Sequence, residues 1–167
     1  AKALKKYPIL NGSLKDYSIK FNKDINIGMA TALPDGNLIV PVIKNADQLS
    51  LIGMVKKVND LAKRSRNSQL KPDEIKDGTY TVSNVGVFDT LMGTPIINQP
   101  QLGVLAFGSI RKEPSVIETN KGDFIGVRRK IILSHSYDHR IINGAVGGMF
   151  IKNIKELIEN WDIKQDI

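Results

Sequence analysis

Cysteine is absent from the 167 residues, which excludes a disulfide framework, a thiolate nucleophile on the protein and a cysteine-type zinc site. Aromatic residues make up 6% of the chain, with a single tryptophan, too few for a platform on which single-stranded nucleic acid would stack. No apolar run approaches the ~20 residues that span a bilayer. The start, Ala1-Lys-Ala-Leu-Lys-Lys-Tyr-Pro8, lacks the apolar stretch of a signal peptide. No internal repeat of roughly 20–50 residues and no low-complexity linker divides the chain. What remains is ordinary globular composition, 41% hydrophobic and 25% charged, which excludes collagen, coiled coil and bulk disorder. The length fits one domain burying roughly 70% of its unfolded surface. Lys+Arg 24 against Asp+Glu 17 leaves +7, which suits an anionic partner without naming one.

Local signals order the chain. Ala1 to Tyr7 reads as the last two turns of a helix stopped by Pro8, and the lack of an N-cap leads us to expect residues before it. Tyr17–Phe21 alternates as a strand. Ile25–Thr31 and Leu38–Ile43 flank Pro34-Asp-Gly-Asn37, a turn cluster that predicts a β-hairpin. Ser50 can cap a helix to about Ser68, whose apolar face is Leu51, Met54, Val55, Val58, Leu61 and Ala62. Its other face carries Lys56, Lys57, Lys63, Arg64 and Arg66, read as solvated rather than as a nucleic-acid contact. Strands follow at Thr79–Ser83 and Gly103–Ile110, joined by a long loop. Asn120-Lys-Gly-Asp123 is a turn between Val116-Ile117 and a final strand ending near Ser136. From Asn143 onward a last helix buries Ala145, Phe150, Ile151, Ile154 and Ile158. The expected class is α+β, a mixed or antiparallel sheet covered by helices.

The two histidines, His135 and His139, lie in Leu133-Ser-His-Ser-Tyr-Asp-His-Arg-Ile-Ile-Asn-Gly144. Histidine is the side chain suited to moving protons near neutral pH; a pair of satisfied polar residues at a strand end fits the same pattern. In a strand the two stand about 13 Å apart, too far to chelate one ion, so no metal is expected. Gly144, Gly147 and Gly148 form no dinucleotide fingerprint and are read as permitting close helix packing. Arg140 is read as architectural, in an ion pair with Asp138 or another carboxylate.

Tyr137-Asp-His-Arg-Ile-Ile-Asn-Gly-Ala145 resembles the His-x-x-x-Asp-Gly signature closing the catalytic domain of the dihydrolipoamide acyltransferases, cores of the 2-oxo acid dehydrogenase complexes. Further matching pieces run in order: Ala3-Leu-Lys-Lys-Tyr-Pro8 with Asn11, Ile25-Asn-Ile-Gly28, Leu38-Ile-Val-Pro-Val-Ile43, Leu70-Lys-Pro72, Gly78-Thr-Tyr-Thr-Val-Ser-Asn84 and Gly93-Thr-Pro-Ile-Ile-Asn98. The resemblance covers essentially residues 1–167. It implies a domain lacking its N-terminal part, without lipoyl or peripheral-subunit-binding domains. The implied fold is chloramphenicol acetyltransferase-like, in homotrimers with active sites between subunits that build a larger symmetric core.

The implied reaction is acyl transfer between a protein-bound dihydrolipoyl thiol, on a separate domain, and coenzyme A. Partners would be the 2-oxo acid decarboxylase and dihydrolipoamide dehydrogenase components, in the cytoplasm or alternatively the mitochondrial matrix. A thiol with pKa near 8.5 is only a few per cent ionised at pH 7, so a base must take its proton; His139 is carried over as that base. Ser83 is carried over as hydrogen-bond donor to the tetrahedral oxyanion. Asn143 stands where the signature most often has Asp; it cannot carry charge but can orient a loop and cap a helix. Val87–Asn98 resembles the succinyl-transferring branch and Ser83 the acetyl- and branched-chain branches, so the acyl group stays open. Coenzyme A's phosphates suit the basic excess, with no binding residue assigned. Two rivals remain: a structural core scaffold with little catalysis, motivated by Asn143 and the cut start, and a small-molecule acetyltransferase of the chloramphenicol type.

Overall fold

A computed structural model of the chain describes residues 1–162. Its centre is three parallel strands, β3 (Ile27–Ala32), β6 (Tyr80–Asn84) and β7 (Gly103–Phe107). Gly103-Val-Leu-Ala-Phe107 is buried almost throughout, the near-continuous apolar run of a strand covered on both faces. Around this centre the order is β10 (Leu133–Tyr137), β7, β6, β3 and β4 (Leu38–Ile39), with β5 (Val42–Ile43) also on β3. β10, β4 and β5 run antiparallel to their neighbours. The sheet is mixed and the fold α+β, as expected.

The expected hairpin forms between β3 and β4, Thr31 facing Ile39. Helix α2 (Leu51–Arg66) starts where the cap predicts, Ser50 Oγ accepting from the Gly53 N–H at 3.1 Å. Its inward row is Met54, Val58, Leu61 and Ser65, against Ile43 and Ala46. Leu51 and Val55 stay about half exposed, because α2 is rotated and Leu51 faces an open apolar groove between α2 and α3 (Gly144–Glu159). Arg64 also departs from the solvated face expected of it. It bridges Glu74 (2.6 Å) and Asp60 (2.8 Å), and the guanidinium holds the Glu74 carboxyl down to about 2.

On α3, Phe150 is buried, with Ile151, Ile154 and Leu157 half-buried around it. Ala145 and Ile158, expected inside, are exposed, since the sheet contacts only one stripe of the helix. The short α1 (Lys2–Lys6) adds Ala3 and Leu4 to the core. The predicted final strand is two strands. β9 (Gly122–Lys130) pairs only with β8 (Arg111–Thr119) in a separate hairpin, and β10 begins after Ile131-Ile132. The break falls where Ile132 turns its carbonyl to the Gly108 N–H, at 2.9 Å. A second small hairpin joins β1 (Gly12–Lys15), read as no element in the sequence, to β2 (Ser18–Phe21).

A buried polar network fixes β6 in the sheet. The Thr79 hydroxyl donates to Asn11 Oδ1 (2.6 Å) and accepts from the Asn26 N–H (2.9 Å), while Asn26 Oδ1 accepts from the Asn45 N–H. Four chain-distant segments thereby satisfy one another's buried polar groups, as burial requires. Thr81 donates to Gln101, whose amide reaches the Gly78 carbonyl. Ser83 follows two residues after Thr81.

Candidate active site

β10 runs from the core straight into the turn that carries His139. Asp138 builds this turn. Its backbone N–H donates to the Leu102 carbonyl (2.9 Å), and its own carbonyl accepts from Ile141 (3.1 Å) and Ile142 (2.9 Å). Its carboxylate takes the Arg140 backbone N–H and the Arg140 guanidinium, Nη2 to Oδ2 at 2.6 Å. That pairing is the architectural one expected, and the guanidinium holds the Asp138 carboxyl below its ordinary range. Ile142, fully buried, pins the far side of the turn in the core.

Asn143 then starts α3. Its Oδ1 accepts from the Val146 N–H at 2.9 Å, the side-chain cap Asn supplies as well as Asp. His139 is exposed and meets the Tyr137 ring, centroids 5.6 Å apart. It forms no hydrogen bond or ion pair among the described residues.

Ser83 belongs to a different part of the sheet. It lies in β6 between Ala30 of β3 and Ala106 of β7, small neighbours that leave it half-buried. Its hydroxyl has no partner among the described residues, so the donor is unspent, against the backbone-bonded hydroxyl that a strand end would also permit. The chain turns just after it: Asn84 Oδ1 accepts from the Gly86 N–H at 3.0 Å. A Cβ on Gly86 would overlap the Gly108 backbone, so only glycine lets the two loops cross there.

His139 and Asn143 lie four residues apart on one turn, and Ser83 lies away from both. Ser83, Ala106 and Ser134 share one row of the sheet, whereas His139 follows Tyr137 at the opposite end of β10. Strand rise and spacing put about 14 Å between Ser83 and the level of Tyr137 alone, with His139 two residues further on. Side-chain faces differ too. His135 and Tyr137 lie on the helix-covered face, as Tyr80 does, while Ser83 and Thr81 lie on the other.

His135 overturns the expectation of a satisfied polar residue. Its ring is wedged against Tyr80, Tyr137 and Phe150, and neither ring nitrogen has a hydrogen-bond partner. Burial depresses its pKa to about 4, the Gly147 backbone acting in the opposite direction. The Tyr80 hydroxyl beside it is equally unpartnered, and burial pushes that phenol up. Its place on the apolar face of β10, at even spacing from Leu133 and Tyr137, was the available signal. Among the described residues no three His, Asp or Glu side chains converge as a metal site.

The model of the 2-oxoacid dehydrogenases acyltransferase catalytic domain matches residues 1–163. The chain belongs to this family. It is 39% identical over 95% of its length to the succinyltransferase component of the Bacillus subtilis 2-oxoglutarate dehydrogenase complex, of which it covers 37%. It is 40% identical over its whole length to the lipoamide acyltransferase component of the branched-chain alpha-keto acid dehydrogenase complex of the same organism, covering 38%. The chain thus spans less than two fifths of these relatives. Among solved structures, Azotobacter vinelandii dihydrolipoamide acetyltransferase superposes with a TM-score of 0.86 at 33% identity, over 94% of this chain and 63% of that one. That structure concerns the roles of a serine, a histidine and an asparagine in the catalytic mechanism of the Azotobacter enzyme.

Proposed function

We propose that the chain transfers an acyl group between a protein-bound dihydrolipoyl thiol and coenzyme A, at a site formed between two copies. One observation carries this reading: His139 and Ser83 each present an unspent polar group, yet lie at opposite ends of one sheet. One chain does not close them on a common substrate. A neighbouring copy does, if it lays the Ser83 end of its sheet against the His139 turn. A symmetric closed ring, a trimer in this reading, makes every such interface equivalent.

In that site the coenzyme A thiol attacks the acyl thioester carbon while His139 takes its proton. The carbonyl oxygen becomes an oxyanion, and the Ser83 hydroxyl donates to it. Collapse expels the dihydrolipoyl sulfur, which recovers the proton from the His139 imidazolium, leaving acyl-coenzyme A. Both reacting sulfurs belong to substrates, so a chain without cysteine is no poorer a catalyst. Asn143 caps α3 and so holds the end of the turn that carries His139. The trimers assemble into a core serving a decarboxylase and a dihydrolipoamide dehydrogenase. Near-equal identity to a succinyl- and a branched-chain-complex relative leaves the acyl group unassigned.

Mixing two inactive parents tests the reading. Co-assembled His139→Ala and Ser83→Ala chains should recover about a quarter of wild-type turnover, because some interfaces then pair an intact His139 with an intact Ser83. No recovery in verified mixed assemblies would place both residues in one chain's site and end the proposal. An assembled wild-type core without acyl-coenzyme A formation would favour a scaffold.

A further inference from the structure

We propose that Tyr137, seated in the notch left by the missing side chain of Gly147, positions the His139 imidazole. This rests on His139 being the base and asks what holds its ring. The turn fixes the His139 backbone, but no hydrogen bond or ion pair restrains its side chain among the described residues. An exposed imidazole samples several staggered rotamers. The ring it meets is Tyr137, at 5.6 Å between centroids and a tilt of 38°.

Tyr137 is itself confined. On one side His135 packs at 5.1 Å between centroids, and His135 leans on Phe150 at 5.1 Å. On the other side α3 closes over the ring. A Cβ built on Gly147 would stand 2.6 Å from Tyr137 Cε1 and 2.8 Å from Cζ, nearer than real side chains approach. A train of rings, Phe150, His135, Tyr137 and His139, therefore runs from the core to the surface, with Gly147 as the opening through which it passes.

The neighbouring glycines sharpen the point. Gly144 would meet only the Tyr137 hydroxyl, at 4.0 Å, and Gly148 nothing within 4 Å. A helical glycine costs about 1 kcal/mol against alanine; at Gly147 the ring gives the reason, and at Gly148 nothing does. A base must bring its ring nitrogen to about 3 Å from the proton it takes. Displacing it by ~1 Å costs on the order of 10²-fold in rate.

Gly147→Ala in the assembled protein should lower kcat on the order of 10²-fold while the KM for coenzyme A changes little. Tyr137→Leu should do the same, and Tyr137→Phe, which keeps the ring, should restore most of the lost kcat. Gly148→Ala, on the same helix but facing open space, should change neither constant. Should Gly147→Ala fail to assemble, Tyr137→Leu carries the test, since it removes the ring without crowding the helix. Wild-type kcat per folded site in Tyr137→Leu, beside a dead His139→Ala, overturns the positioning role and leaves the base assignment standing. A fully active His139→Ala removes the base assignment, and this proposal with it.

Discussion

Ser83 and His139 are held by different means. Ser83 sits inside a ladder, bonded strands on either side and a polar network behind, so its place is set by contacts far along the chain. His139 rides beyond the ladder on a turn tied within itself by Asp138, with Ile142 as its anchor. The ladder end is built from small side chains that leave room beside Ser83. The turn end is built from rings packed at a tilt that fill the space beneath His139. In the roles proposed for them, a donor to an oxyanion needs only fixed placement and an open approach, whereas a base must also present a nitrogen in one orientation.

The largest test of this contrast is chemical. Replacing His139 by Ala should cut turnover by ~10²–10⁴, and Ser83→Ala by ~10²–10³, both with KM nearly unchanged. Steady-state rates on intact assemblies check both, and wild-type rates in either variant would empty that end of its role. The next effect is on stability. His135 stays neutral in the fold with a pKa near 4, against an ordinary 6.5, so the unfolded chain takes up the proton first as the pH falls. Stability should therefore decline by roughly 2 kcal/mol between about pH 6.5 and pH 4, and His135→Leu should flatten that part of the profile in thermal melts. An unchanged profile would mean that the imidazole finds a partner. The smallest effect concerns the cap. Asn143→Asp should keep the melting temperature, while Asn143→Ala should lose about 1 kcal/mol; an Ala variant with unaltered melting and turnover would remove both the cap and the orienting role.

Legibility followed the range of each interaction. The Ser50 and Asn143 caps and the Pro34–Asn37 turn were readable because donor and acceptor lie within three or four residues. The Asp138–Arg140 pair was readable for the same reason. Arg64 departs from a solvated face because its main partner, Glu74, lies beyond the helix and outside any local pattern. β1 is invisible in sequence because Gly12–Lys15 has no strand pattern of its own and exists by pairing with β2. The last strand looks continuous in sequence because Ile131-Ile132 continues its β-branched run; the break shows in the Gly108–Ile132 bond.

By itself the sequence determined the chemistry on offer: two histidines in one short segment, a hydroxyl near a strand end, and an ordered set of pieces that resemble one family. Those are local facts, written in residue type and short spacing. Only the tertiary structure decided where these groups stand. Parallel pairing of β3, β6 and β7 joins segments more than twenty residues apart and places Ser83 at one end of the sheet, and the antiparallel pairing of β10 on β7 sends His139 to the other. Nothing within a few residues of either side chain encodes the separation, because strand order is settled by which distant faces bury each other.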